Sequence, residues 1–337
     1  MTRRVRPLYL AGAGFALLAI VFLLLWRVQS DNFLLLPDRA HPVAPLVTVK
    51  GGSDPKGPGG VYFVDVIEQR ASLLDSIFPG LHQGSSLVPA SSILPPGSSV
   101  QTERQASLRQ MQRSQDVAAA VALRSLGYKV TARPTGVLVD AVLRGSGAAG
   151  VLQPTDVIVS LGGKPIRKVA ELHAALARYR PGDVVRVGIR RGDKLTTALV
   201  KTSPSQSDPK LPALGVFVEQ ASDIHLPIPV SIDAGNVGGP SAGLAFALGV
   251  LEELGHDVDH GYRVAATGEL EPDGTVVPIG GVRQKIFGVR KSNVDVFLVP
   301  AGDNYRTALR DAHGVRVLPV KNFQQALREL ATLPPKA

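Results

Sequence analysis

The stretch that constrains this chain most runs from Gly235 to Gly255, GNVGGPSAGLAFALGVLEELG: a glycine-rich loop, a Pro240-Ser241 step, and a strongly apolar segment stopped by glycine. Proline fits the first turn of a helix, where its missing N–H costs nothing, and glycine fits just past a helix end. Ser241 therefore falls where a loop turns into a helix, beside unpaired backbone N–H groups and the positive end of the helix dipole. That position suits a nucleophile whose target oxygen becomes an anion. It equally suits a serine that only caps the helix. Residues elsewhere in the chain have to decide.

The 337 residues are enough for two or three domains. There is no cysteine, which excludes disulfides, a thiolate nucleophile and cysteine-based metal sites. The net charge of +9 raises the question of nucleic acid, but the basic residues are scattered and aromatics are only 5%, so no stacking platform exists. Nucleic acid is not expected as a partner. Leu8–Trp26 is an uncharged apolar run, LYLAGAGFALLAIVFLLLW, of about the length that crosses a bilayer core as a helix. Arg3, Arg4 and Arg6 precede it and Arg27 follows, so the positive-inside rule puts the N-terminus in the cytoplasm and the rest outside. A cleaved signal peptide is the rival reading. The run is long for a signal core and no A-x-A site follows it, so residues 1–30 are read as a retained single-pass transmembrane anchor.

Residues 31–130 are read as a linker and a small mixed N-terminal domain. Proline and glycine up to about Pro58 suggest the linker, Val61–Gln69 alternates like a strand, and Ser85–Ser99 cannot form one regular element. Glu103–Leu126 is a helix stopped by Gly127, and His41 and His82 look isolated. Residues 131–203 form a self-contained module. It has a strand GVLVDAVL, a hairpin VIVSLGGKPI, a helix over Val169–Tyr179 and a second hairpin through Gly192-Asp193. This order of elements, with the run GAAGVLQPTDVI, resembles bacterial PDZ domains, with Thr155-Asp156 in place of the usual Gly-Asp. The resemblance implies peptide binding by strand addition to an open sheet edge. Residues 204–337 alternate strands and helices and are long enough for a core of their own. The whole is α+β and multidomain.

An activated serine needs a base within hydrogen-bond reach. In the helix VRQKIFGVRK, Val282, Ile286 and Val289 make one stripe and Lys285 lies on its flank, where burial would lower its pKa. Serving as a base at neutral pH asks for a fall from about 10.4 to roughly 7–8, which only a well-covered site supplies. The alternative is histidine, because Gly239-Pro240-Ser241-Ala242-Gly243 also fits G-x-S-x-G, with Asp295 or Asp303 and His313 following in order. Against it stand the long loop from Asp233 to Gly238 in place of a sharp elbow, and a region too short for a hydrolase sheet. His256 and His260 are spaced i,i+4 but sit in a polar, glycine-led loop, so no metal is expected.

The motifs NVGGPSAG, ATGEL, PIGGVRQK and VFLVP, in this order, resemble the proteolytic domain of the Lon family, and with the anchor and PDZ module they resemble bacterial membrane-anchored Lon-like proteases. The resemblance implies a Ser241–Lys285 dyad, with Thr267 holding the lysine. Backbone N–H groups around Gly239, Pro240 and Ser241 would form the oxyanion hole. Gly238 stands where many ATP-dependent members carry an acidic residue. No G-x-x-x-x-G-K-[ST] phosphate loop occurs, so no ATP or other cofactor is expected and substrates would be unfolded or flexible proteins and peptides. A homo-oligomer, such as a hexameric ring, is also implied. The rival to an enzyme is a membrane-tethered PDZ scaffold with an inert Lon-like fold.

Overall fold

The computed structural model describes residues 7–53, 57–94, 99–205, 208–334 and 336, with side chains from residue 12 onward. Helix α1 (Pro7–Arg27) leads into strand β1 (Gln29–Pro42), which pairs antiparallel with β2 (Gly60–Ser72) on one side and β3 (Ser86–Pro89) on the other. Helix α2 (Val100–Ser125) follows, capped by Ser99, whose hydroxyl accepts from the Thr102 N–H at 3.1 Å. A second sheet comes next: β4 (Thr131–Val142), β5 (Val157–Leu161), helix α3 (Val169–Leu176), β6 (Val184–Arg191), β7 (Lys194–Lys201) and β8 (Val216–His225). Its spatial order is β8-β4-β5-β6-β7.

The chain then returns to the first sheet. Helix α4 (Gly243–Glu253), β9 (Arg263–Ala266), α5 (Val282–Lys291), β10 (Val296–Pro300), α6 (Asp303–Arg310), β11 (Arg316–Val320) and α7 (Phe323–Ala331) complete it. The new strands add in parallel, giving the order β11-β10-β9-β2-β1-β3. Parallel addition needs crossover helices, and α5 supplies the one between β9 and β10. Helix α4 is buried along its whole length, as an all-round apolar helix must be. It sits in one core with Val43 just after β1, Val61 and Phe63 from β2, Met111 and Val121 from α2, and Val264 and Leu298 from the last strands.

Two expectations are corrected here. The proposed linker from Asp31 is strand β1. Its prolines misled because Pro37 sits at a bulge between Pro37 and Ala40 and Pro42 ends the strand, both places where a missing N–H is tolerated. Residues 31–130 are not a separate N-terminal domain, since β1, β2 and β3 share a sheet and α2 a core with residues beyond 240. The second sheet also takes in a strand beyond residue 203: β8 is laddered to β4 from Val216–Val142 to His225–Thr131. The module is an insertion between α2 and α4.

The expected anchor, residues 1–30, begins outside the described residues, and its apolar run Leu8–Trp26 lies within helix α1. Among the described residues no helix is long and apolar enough to cross a membrane, so the expected transmembrane helix is unsupported there.

Within the inserted module Asp156 is fully buried and held by Arg191 through Nε to Oδ1 at 2.7 Å and Nη2 to Oδ2 at 2.6 Å. Thr155 has φ +71°, a conformation glycine adopts freely and a β-branched residue does not. This is why Gly-Asp is the usual pair there. Thr155 uses the position differently, accepting from Arg109 Nε of α2 at 2.7 Å and so tying the module to the first core.

Candidate active site

Ser241 does not cap α4. The N-cap is Ala242 and no side chain bonds the helix end, which leaves the Ser241 hydroxyl available for chemistry. The Lys285 amine lies 2.6 Å from Ser241 Oγ and donates to Thr267 Oγ1 at 2.9 Å. Thr267 in turn donates to the Ser241 carbonyl at 3.1 Å, and Gly268 N–H bonds the same oxygen at 2.9 Å. The three side chains named from the sequence thus meet, although they come from the start of α4, the end of β9 and the second turn of α5.

Each placement has a local cause. Gly281, at φ +71°, turns the chain into α5, so that Lys285 follows one turn later with its N–H on the Gly281 carbonyl at 3.0 Å. The stripe Val282, Ile286 and Val289 packs against Val64 and Phe297. Gly288 lets the helix approach β1: a Cβ there would lie 1.8 Å from the Asp38 carbonyl oxygen. Lys285 is only 2% exposed. Burial pushes its pKa down to about 7, against a smaller upward pull from the Asp65 carboxylate. A neutral amine can accept the serine proton.

The histidine alternative finds no such geometry. His313 is exposed in the turn before β11, and among the described residues no hydrogen bond joins it to Ser241. Asp295 is engaged with the Arg263 N–H at 2.8 Å and Lys336 Nζ at 2.6 Å, and Asp303 pairs with Arg306. His256 and His260 lie in a loop, as expected.

Two features escaped the sequence reading. His41 is not isolated: its Nε2 lies 3.0 Å from Asp38 Oδ2 and 3.9 Å from Asp65 Oδ1, and the three residues could present ligand atoms within 4.8 Å of one another. The signal was hidden by the bulge that brings Asp38 and His41 together on β1. The second feature is a cleft between α2, the inserted sheet and the Ser241 loop, lined by Arg113, Ser114, Asp140, Pro240 and Glu269. Arg113 pairs with Glu219 of β8 at 2.5 Å. Burial, with Glu271 and Asp140 nearby, pushes Glu269 up to about 7.

Comparison with known proteins agrees with this layout. Residues 205–329 match the family model of the Lon protease C-terminal proteolytic domain, and residues 124–202 match that of a PDZ domain. The chain therefore carries a Lon-type proteolytic domain together with a PDZ domain. Lon protease 2 of Bacillus subtilis is 36% identical over 113 residues, covering 34% of this chain and 20% of the relative. Lon protease of Helicobacter pylori is 32% identical over 142 residues, covering 40% of this chain and 16% of the relative. The chain thus spans a fifth or less of the length of these curated relatives. A PDZ domain of an SdrC-like protein from Listeria monocytogenes aligns at 27% identity over 27% of this chain and 93% of that one, with a TM-score of 0.24.

Proposed function

We propose that this protein is a serine endopeptidase that works through a Ser241–Lys285 dyad without ATP. The observation that carries the reading is the sealed amine resting 2.6 Å from the serine oxygen. As a substrate carbonyl approaches, Lys285 Nζ takes the Ser241 proton, the Oγ–C bond forms, and the carbonyl electron pair moves onto oxygen. Collapse of that intermediate breaks the C–N bond, and the lysine returns the proton to the leaving amine. Water, deprotonated by the same amine, then hydrolyses the acyl-enzyme. Thr267 orients Nζ throughout, as its two hydrogen bonds allow.

The biological setting belongs to the same proposal. The apolar run Leu8–Trp26 behind Arg3, Arg4 and Arg6 supports a membrane anchor with the catalytic fold on the extracytoplasmic side. The lack of a phosphate loop supports substrates that are already unfolded or flexible, recruited by the PDZ domain, and a homo-oligomer, such as a ring, belongs to the same reading. The test is cleavage of an unfolded protein by wild type, Ser241→Ala, Lys285→Ala and His313→Ala. Loss of cleavage in the first two variants alone is expected. Cleavage untouched by both would leave a tethered scaffold, and loss in His313→Ala would reinstate the histidine mechanism.

A further inference from the structure

The loop that carries Ser241 is held from one side by helix α2. The Ser107 carbonyl accepts from the Gly239 N–H at 2.8 Å, and Ser114 Oγ donates to the Pro240 carbonyl at 2.9 Å. Arg104 reaches the Asn236 carbonyl, so the clamp covers the loop over several residues. Contact is close enough that a Cβ on Gly238 would lie 2.3 Å from Ser107 Oγ.

These bonds sort the candidate oxyanion donors. The Gly239 N–H is already spent on Ser107, and Pro240 has no N–H to give. Of the three residues, Ser241 alone keeps a donor. Its N–H belongs to the same peptide unit as the Pro240 carbonyl, and in a trans peptide the two point in opposite directions. The bond from Ser114 therefore pins the carbonyl to α2 and aims the N–H away from it. Accepting a hydrogen bond at the oxygen also polarises the unit and strengthens the N–H as a donor. Ser114 is 5% exposed, and a buried hydroxyl with this single acceptor is a rigid support.

We infer that Ser114 is a positioning residue, one that fixes the Pro240–Ser241 peptide so that the Ser241 N–H faces the oxygen that becomes an anion. The inference rests on the serine endopeptidase reading and names a residue that the sequence motifs do not contain. Among the described residues the Ser114 hydroxyl bonds the Pro240 carbonyl and not the Ser241 side chain, so it acts through this peptide.

The test uses the full chain, a peptide substrate, and a peptide aldehyde, which adds to Ser241 as a hemiacetal with its oxygen in the anion position. Ser114→Ala is expected to lower kcat about tenfold to a hundredfold, short of removing a donor outright, with KM changed less than about twofold. Aldehyde affinity should fall by the same factor as kcat/KM, and the pH midpoint of the reaction should stay in place. Should Ser114→Ala not fold, Ser114→Cys keeps the volume with only a weak donor, and the same readouts apply. Ser125→Ala, which removes a hydroxyl bonded only to Ala122 O within the same helix, keeps the wild-type rate. A folded Ser114 variant equal to wild type in rate and aldehyde affinity overturns the inference alone. So does a slower variant whose pH midpoint has moved, because that marks a general disturbance of the site. A wild type that neither cleaves peptide nor binds aldehyde overturns the endopeptidase reading as well.

Discussion

A lysine amine sealed from water is costly to keep. With its pKa held near 7 in the fold against 10.5 in the open chain, Lys285 destabilises the protonated protein by roughly 5 kcal/mol. The sign follows from proton counting. Between these two values the unfolded chain holds the proton and the fold does not, so stability rises with pH from about 7 to 10.5 and the cost is full below 7. Lys285→Met should therefore be inactive yet more stable at pH 6, by a few kcal/mol, with the gap closing toward pH 10; denaturant melts at both pH values read it. Glu269 titrates in the same region, since its pKa also stands near 7. Glu269→Gln should leave the rise of activity with pH in place, which separates the two groups. From sequence, Ser241, Lys285 and Thr267 could be named but the burial could not. The helical stripe puts Lys285 only on a flank, and its burial comes from elements far apart in the sequence.

At the scale of elements, the proposed catalysis depends on α5 lying flat against β1. Gly288 makes this possible, and Gly288→Ala would force its new methyl into the Asp38 carbonyl. Destabilisation of at least about 1–3 kcal/mol is expected, with a larger proportional loss of activity because Lys285 moves with the helix. Urea unfolding beside peptide cleavage measures both effects. Most helices were legible because their apolar spacing is local. Helix α5 was read with its observed ends, and α2 within a few residues. Strand β1 was not, because a bulge and two prolines break the alternation by which strands are recognised. Pairing is harder still, since local periodicity does not say that β2 lies beside β9, some 200 residues later in the chain.

At the scale of the molecule, the PDZ-type sheet is an insertion in the catalytic fold, and its ends meet: Thr131 and His225 face each other on one rung of the β4–β8 ladder. Both connections lead to the nucleophile, through α2, which clamps the loop, and through β8, which runs on toward it. Replacing the segment between these two residues by a short turn should leave a folded protein that a serine-directed phosphonate still labels at Ser241, with reduced cleavage of large unfolded substrates. Labelling beside a protein-cleavage assay tests this. The insertion was not legible because each part of the sequence reads as a plausible unit of its own. The matched family range, starting at residue 205, likewise omits the strands and helix before the insertion that complete the catalytic sheet.

The central claim is that an uncharged Lys285 activates Ser241, and the pH dependence of kcat/KM tests it most directly. Wild type should gain activity along a single sigmoid centred near pH 7 and hold a plateau above it, while Lys285→Met stays inactive throughout. Cleavage by Lys285→Met at the wild-type rate, with the same sigmoid, would contradict the account.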